Sequence, residues 1–151
     1  SIGVRITRSI KINMIEIYCD GSYASSRNQG GWAFVVVQNN EVIYKEYDGL
    51  INTTNQRMEI MAMIKTLSWL KNYSISIPIK IYTDSMYVIG TITKNYNKNA
   101  NNDLWDILIP LVNKDIEYLH VKGHNGDKFN EECDKWAVFG SNLLNCKNDK
   151  E

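Results

Sequence analysis

The chain has 151 residues, and its 17 basic and 17 acidic side chains give a formal net charge of zero. A hydrophobic content of 44% and a charged content of 23% are ordinary for a globular domain and argue against a disordered or fibrous protein. The charge balance excludes attraction of a polyanion by overall positive charge, so any nucleic-acid contact must depend on local features. The length favours one domain with a core of its own.

Cysteine usage and hydropathy predict the cellular compartment of this protein. The three cysteines are an odd number without CxxC spacing, which is typical of a reducing compartment. No apolar run is long enough to span a membrane, and the N-terminus lacks the apolar core of a signal peptide. We therefore expect an intracellular, non-secreted protein of the cytoplasm, nucleoid or nucleus. One domain over residues 14–145 is predicted, with a polar, frayed tail at 146–151. The sequence leaves open whether residues 1–13 are a native extension or were added for expression.

The hydrophobic pattern predicts nine elements in the order βββαβααβα. Strands are predicted over residues 14–20, 31–37, 41–50, 79–84 and 116–121. Helices are predicted over residues 55–73, 85–95, 103–112 and 128–144. A Thr or Asn is expected to cap the first of these helices and Ser85 the second, because such side chains satisfy free backbone N–H groups. The first three strands form an antiparallel meander, and the later elements alternate between helix and strand. This order predicts an α/β architecture with a mixed sheet.

Two of the predicted strands end in nearly the same way. Ile-Tyr-Cys-Asp closes the first at Asp20, and Ile-Tyr-Thr-Asp closes the fourth at Asp84. If these strands are parallel neighbours, both carboxylates reach the C-terminal edge of the sheet, where α/β folds bind ligands. Adjacent carboxylates repel each other unless a proton or cation lies between them, which suggests a metal site. The pattern leaves open the alternative that each aspartate merely ends a strand or caps a turn.

Two further acids begin predicted helices. Glu59 lies one turn into the helix that follows Thr53 and Thr54, and Asp134 lies early in the last helix, four residues after Asn130. An acid in the first turn of a helix is favourable on its own, because the helix dipole is positive there. Together with the two strand-end aspartates, however, these acids could meet at one sheet edge, and a two-metal phosphodiesterase needs such converging carboxylates.

Five motifs, in order, closely resemble those of type 1 ribonuclease H. They are Asp20-Gly21-Ser22, Thr53-Thr54-Asn55-Gln56-Arg57-Met58-Glu59, Asp84-Ser85-Met86-Tyr87-Val88, Asp103-Leu104-Trp105, and Val121-Lys122-Gly123-His124 followed by Asn130-Glu131-Glu132-Cys133-Asp134. The resemblance runs through most of the chain. It implies a ribonuclease H-like fold, with a five-stranded mixed sheet and helices on both faces. It also implies an endonuclease that cuts the RNA strand of RNA–DNA hybrids.

The same resemblance implies roles for individual residues. The metal ligands would be Asp20, Glu59, Asp84 and Asp134, holding two Mg²⁺ ions for which Mn²⁺ could substitute. His124 matches a family histidine that assists proton transfer or product departure. Contacts with the hybrid's minor groove are implied for Gly21, Ser22, Asn55, Gln56 and Met86. Contacts with a DNA phosphate are implied for Thr54 and Asn101.

The chain departs from the family pattern in two places that affect substrate binding. Asn52 occupies the position of an arginine in the phosphate pocket. The segment between Met86 and Asp103 is short, so the extra helix and basic handle of many cellular members are predicted to be absent, with Lys94, Tyr96 and Lys98 as remnants. Both departures predict weak attraction of the hybrid.

Two other functions were compared with the endoribonuclease. A catalytically silent binding module on the same fold would have no need of four mutually repelling acids. A DNA-cutting relative shares the metal chemistry, but the segment from Thr54 to Glu59 matches the RNA-reading class better. We expect a monomer that binds RNA–DNA hybrid without an obligatory protein partner.

Overall fold

A computed structural model describes residues 14–94, 99–123 and 126–150 of the chain. The strands are β1 (Ile15–Ala24), β2 (Gln29–Gln38), β3 (Glu41–Ile51), β4 (Ile79–Thr83), β5 (Glu117–His120) and β6 (Lys147–Asn148). The helices are α1 (Asn55–Leu70), α2 (Met86–Lys94), α3 (Asn102–Leu108) and α4 (Lys128–Ser141). The predicted order βββαβααβα is confirmed, with β6 added at its end.

The six strands form one mixed sheet in the order β5-β4-β1-β2-β3-β6. β1, β2 and β3 pair antiparallel as a meander, whereas β4 pairs parallel with both β1 and β5. β1 runs four residues beyond its predicted end at Asp20, because it stays paired with β2 as far as Ala24 opposite Gln29. Gly21 and Ser22 are weak strand formers, and this pairing outweighs their local preference.

Alternation along the strands sends apolar side chains to two separate cores. On one face, Ile17, Cys19 and Phe34 pack with α1 and α3. On the other face, Tyr18 and Val35 pack against α4. The prediction of helices on both faces is therefore confirmed.

The connection between α2 and α3 leaves no room for a handle helix. α2 ends at Lys94 and α3 begins at Asn102, so only residues 95–101 join them. Tyr96 and Lys98, predicted as remnants of the handle, lie outside the described residues.

Within the described ranges, no helix is both long and apolar enough to cross a membrane.

The C-terminal segment corrects two predictions. The sheet has six strands rather than five, because Lys147 and Asn148 pair parallel with Leu50 and Ile51 of β3. The tail was also predicted to be frayed, which is wrong as far as Asp149, whose backbone N–H donates to the Ile51 carbonyl at 3.0 Å. The segment was predicted as frayed because it is polar and lacks periodicity. It is ordered by contacts with residues far away in the chain, which periodicity does not reveal.

Candidate active site

Asp20 is the most buried acid of the predicted site. It lies in β1 with an exposed fraction of 3%. Its Oδ1 accepts a hydrogen bond from the Gly21 N–H at 2.9 Å, while its Oδ2 is buried without a partner among the described residues. A buried carboxylate oxygen without a donor is costly unless a proton or a cation satisfies it. One oxygen of Asp20 is thus held in place and the other remains available for a ligand.

Glu59 reaches Asp20 through a close approach of α1 to β1. A Cβ atom on Gly21 would lie 2.5 Å from the Glu59 backbone nitrogen, so only glycine allows this packing. The Thr54 side chain caps α1 by accepting from the Arg57 N–H at 3.1 Å, as predicted for a Thr or Asn at this helix start. Asn55 Nδ2 donates to Glu59 Oε1 at 2.9 Å, and Glu59 Oε2 is buried without a described partner.

Asp84 follows β4 directly and is held by the start of α2. Ser85 accepts from the Val88 N–H at 3.2 Å, which confirms its predicted capping role. The Asp84 carbonyl lies 3.2 Å from His120 Nε2 on the neighbouring strand. Gly123 lies against the Asp84 carboxylate, because a Cβ atom there would come within 2.8 Å of Oδ2. The parallel pairing of Thr83 with Cys19 places Asp84 beside Asp20 of β1.

The three acids converge on one point. Asp20, Glu59 and Asp84 each offer a carboxylate oxygen, and these oxygens lie within 4.8 Å of one another. Burial and the repulsion from Asp84 raise the pKa of Asp20 far above its usual range. The same two causes raise the pKa of Glu59 to about 7. The site is therefore under electrostatic strain that a hard divalent cation would relieve. The unpartnered oxygens of Asp20 and Glu59 are suitable ligands for such an ion.

Asp134 belongs to the same electrostatic cluster but lies outside the group of three. Its carboxyl group is near enough to that of Asp20 to contribute to the raised Asp20 pKa, after burial and the Asp84 charge. α4 is fixed to β1 beside it, because Cys133 is fully buried and its Sγ donates to the Tyr18 carbonyl at 3.2 Å. Asp134 itself is only half-buried, which leaves it on the open side of the site.

The residues predicted to contact substrate surround the acids. Gly21 and Ser22 continue β1 past Asp20, and Asn55 and Gln56 are exposed in the first turn of α1. Met86, at the start of α2, is 48% exposed. His124, predicted to assist proton transfer, lies outside the described residues.

The residues predicted to contact a DNA phosphate, Thr54 and Asn101, meet around a buried arginine. Thr54 caps α1 beside Arg57, and Asn101 Oδ1 accepts from Arg57 NH1 at 3.3 Å. Arg57 is 8% exposed and forms ion pairs with Asp103 at 2.7 Å and with Asp149 at 2.6 Å. In the sequence Arg57 is noticed only as part of a motif, and its buried ion pairs with Asp103 and Asp149 were not predicted. A signal was present, because Arg57 precedes Ile60 and Ile64 on the buried stripe of α1, where a charge needs partners.

Comparison with known proteins places this geometry in a family. The family model described as RNase H matches residues 13–142. A ribonuclease H from Syntrophomonas wolfei is 39% identical over 139 residues, covering 82% of this chain and 92% of that protein. A ribonuclease H from Rippkaea orientalis is 37% identical over 150 residues, covering 89% of each.

Solved structures agree on the fold. A type 1 ribonuclease H with the type 2 active-site motif superposes with a TM-score of 0.74 at 22% identity, covering 85% of this chain and 72% of that one. A foamy viral protease–reverse transcriptase in complex with double-stranded DNA superposes with a TM-score of 0.71 at 23% identity, covering 88% of this chain and 96% of that one.

Proposed function

The chain belongs to the ribonuclease H family and is a metal-dependent endoribonuclease of RNA–DNA hybrids, and we propose that its acidic cluster holds two Mg²⁺ ions for hydrolysis of the RNA strand. One observation supports this assignment above all. Carboxylate oxygens of Asp20, Glu59 and Asp84 lie within 4.8 Å of one another, and two of these side chains keep a buried oxygen without a described partner. Such a cluster of hard oxygen ligands suits Mg²⁺, with Mn²⁺ as a substitute.

The chain's residues contribute position and charge to this chemistry. Bound divalent ions would lower the pKa of an attacking water and neutralise charge on the phosphate. Asp20 is fixed by the Gly21 N–H and Glu59 by the Asn55 side chain, so each keeps one buried oxygen without a described partner. Asp134, half-buried beside Asp20, is proposed as the fourth ligand on the open side. His124 is proposed to transfer a proton or to assist product departure.

Discrimination of RNA from DNA is proposed to depend on the residues around the acids. RNA differs by its 2′-hydroxyl, which lies in a wide, shallow minor groove. Gly21 is half-buried and offers only backbone groups, and the exposed amides of Asn55 and Gln56 can donate to or accept from a hydroxyl. Ser22 and Met86 are proposed to contact the same groove. Asn55 also donates to Glu59, so one proposed groove contact is hydrogen-bonded directly to a proposed metal ligand.

The assignment is tested by incubating the protein with labelled RNA–DNA hybrid, duplex RNA and duplex DNA, each with Mg²⁺, Mn²⁺ or EDTA. We expect cuts within the RNA strand of the hybrid only, and only with metal. Asp84→Asn should remove the cleavage, whereas Asp106→Asn, an exposed acid on α3, is the matched control. Hybrid binding without cleavage would instead indicate a silent module, and cleavage of duplex DNA would indicate a DNA-cutting enzyme.

We also propose that the enzyme acts as a monomer. All four proposed metal ligands come from β1, α1, α4 and the residue after β4 of one chain, so no second copy is needed to complete the site. Light scattering of the protein with and without hybrid measures this directly. An active dimer that loses activity on dilution into monomers would contradict it.

A further inference from the structure

A polar cavity of about 400 Å³ lies next to the start of α1. Its walls carry amide, hydroxyl, guanidinium and ammonium groups, and no carboxylate lines it. The lining residues are Asn28, Asn52, Thr53, Thr54, Arg57, Asn148 and Lys150. Walls of this chemistry suit a phosphate group, which accepts hydrogen bonds and carries negative charge.

Two of these residues come from the C-terminal segment, which is held in place by contacts distant in the sequence. β6 pairs with the end of β3, and the side chain of Asp149 is only 1% exposed. Asp149 accepts from Arg57 Nε at 2.6 Å and from the Thr53 hydroxyl at 2.8 Å. Lys150 follows directly, and its N–H donates to Asn148 Oδ1 at 3.0 Å. The position of Lys150 at the cavity is thus set by its neighbour's buried ion pair.

The charges around the cavity make Lys150 the decisive cation. Every guanidinium nitrogen of Arg57 is already used, because Nε, NH1 and NH2 donate to Asp149 and Asp103. These two acids outnumber the arginine, so their cluster has a net charge of −1 and would repel a phosphate. Among the described residues Lys150 forms no ion pair, and its charge returns the balance to zero. Among the described residues that line the cavity, only Arg57 and Lys150 are charged, and the others, Asn52 included, are uncharged amides and hydroxyls.

We propose that Lys150 is a substrate-binding residue whose ammonium group contacts a backbone phosphate of the hybrid in this cavity. The proposal rests on the proposed function, since it takes the hybrid as the substrate. The C-terminal segment then supplies the cation that Asn52 does not supply, and Asp149 is the positioning residue that holds Lys150 at the cavity. The contact holds substrate and transition state alike, so it should affect KM rather than kcat.

The test compares Lys150→Gln with Lys147→Gln, a matched control three residues away on the same segment. Lys147 is exposed and faces a different depression, near Trp32 and Asp48. For Lys150→Gln we expect KM to rise about three- to tenfold with kcat unchanged. The slope of log K against log salt should become shallower by about one phosphate contact. Lys150→Arg should restore both values, and Lys147→Gln should match the unmodified protein.

Equal KM and salt slope for Lys150→Gln and Lys147→Gln would overturn the proposal. So would a raised KM with an unchanged salt slope, because a purely structural role of Lys150 would produce that result. Hybrid binding by Asp20→Asn, with and without Lys150→Gln, repeats the comparison without catalysis. A failure of the proposed function, seen as absent cleavage by the unmodified protein, is therefore distinguishable from a failure of the Lys150 contact.

The strand that supplies the phosphate is identified with neutral methylphosphonate linkages, placed singly along the DNA strand or the RNA strand. At the contacted position the neutral linkage should weaken binding of the unmodified protein but not of Lys150→Gln. Such a position in either strand supports the contact and names its source. If the linkage weakens both proteins equally at every position, Lys150 contacts no phosphate.

Discussion

Tyr18 of β1 and Tyr82 of β4 are register partners in adjacent parallel strands, and their rings stack with centroids 4.6 Å apart at an angle of 11°. Asp20 and Asp84 each follow two residues later, so parallel pairing delivers both carboxylates to the same sheet edge. The Tyr82 hydroxyl donates to Glu16 Oε2 at 3.0 Å, which ties the two strands together once more. The repeated Ile-Tyr-X-Asp pattern in the sequence is therefore repeated side by side in space.

Asp20→Asn should abolish cleavage while folding and hybrid binding persist. The substitution removes a proposed ligand charge and also removes repulsion from a buried cluster, so the metal-free protein should melt at an equal or higher temperature. Cleavage assays, hybrid binding and thermal melting measure the three effects, with Asp106→Asn as the control. Turnover at the unmodified rate would show that Asp20 is not a metal ligand.

The metal-free protein should lose stability as the pH rises through the titration of Glu59. Its pKa is raised from an ordinary value of 4.5 to about 7 by burial and the Asp84 charge. A carboxyl with a higher pKa in the folded state binds its proton more tightly there, so the free energy of unfolding falls between these two pH values. Asp20 acts in the same direction, because its pKa is also raised.

Denaturant unfolding at a series of pH values, with and without Mg²⁺, measures this loss. Added Mg²⁺ should stabilise the protein more at pH 8 than at pH 5, because protons compete with the ion for the carboxylates. The decline with pH should be smaller in Asp20→Asn. A metal-free stability that rises from pH 5 to pH 7 would contradict the proposed cluster electrostatics.

His124→Ala should slow turnover without ending it. Assistance with proton transfer typically contributes about 10²- to 10⁴-fold, whereas loss of a metal ligand should cost more. Steady-state kinetics of His124→Ala beside Asp134→Asn give the comparison. If the histidine variant cleaves at the unmodified rate, His124 has no part in the reaction.

Arg57→Met should destabilise the fold by about 3–5 kcal/mol, because it leaves the buried carboxylate of Asp149 without its cation. Adding Asp149→Asn should recover part of this loss. The control is Lys80→Met, which breaks a looser and more exposed pair with Glu117 at 3.9 Å and should cost under about 1 kcal/mol. Denaturant unfolding measures all three. Equal losses for Arg57→Met and Lys80→Met would mean that burial adds nothing to the Arg57 cluster.

The absence of a basic handle should make hybrid binding weak and only mildly dependent on salt. With zero net charge and Asn52 in the phosphate pocket, we expect a salt slope worth roughly two to four phosphate contacts. Inserting a Lys/Trp-rich segment within residues 96–101 should lower KM more than it raises kcat. A steep slope for the unmodified protein would instead point to Arg5, Arg8 and Lys11 near the N-terminus.

Much of the fold and of the candidate site could be predicted from local patterns. The Ile-Tyr-X-Asp repeats predicted that Asp20 and Asp84 lie side by side on neighbouring parallel strands, and the caps at Thr54 and Ser85 were predicted from their residue types. Each of these predictions depends on the backbone periodicity or capping chemistry of a few adjacent residues, which is visible in the sequence itself. The motif resemblance extended this reading to Glu59.

By itself, then, the sequence determined the order of the elements, the family and the acids that meet. Only the tertiary structure decided that the C-terminal segment pairs with β3. The polar residues of this segment have no periodicity. Asp149 in the segment pairs with Arg57, which lies 92 positions earlier and also pairs with Asp103, 46 positions after it. A charge becomes a buried partner or a solvated tail according to what packs against it, and such long-range packing leaves no local pattern. Only the folded chain brings Lys150 to the cavity at the start of α1.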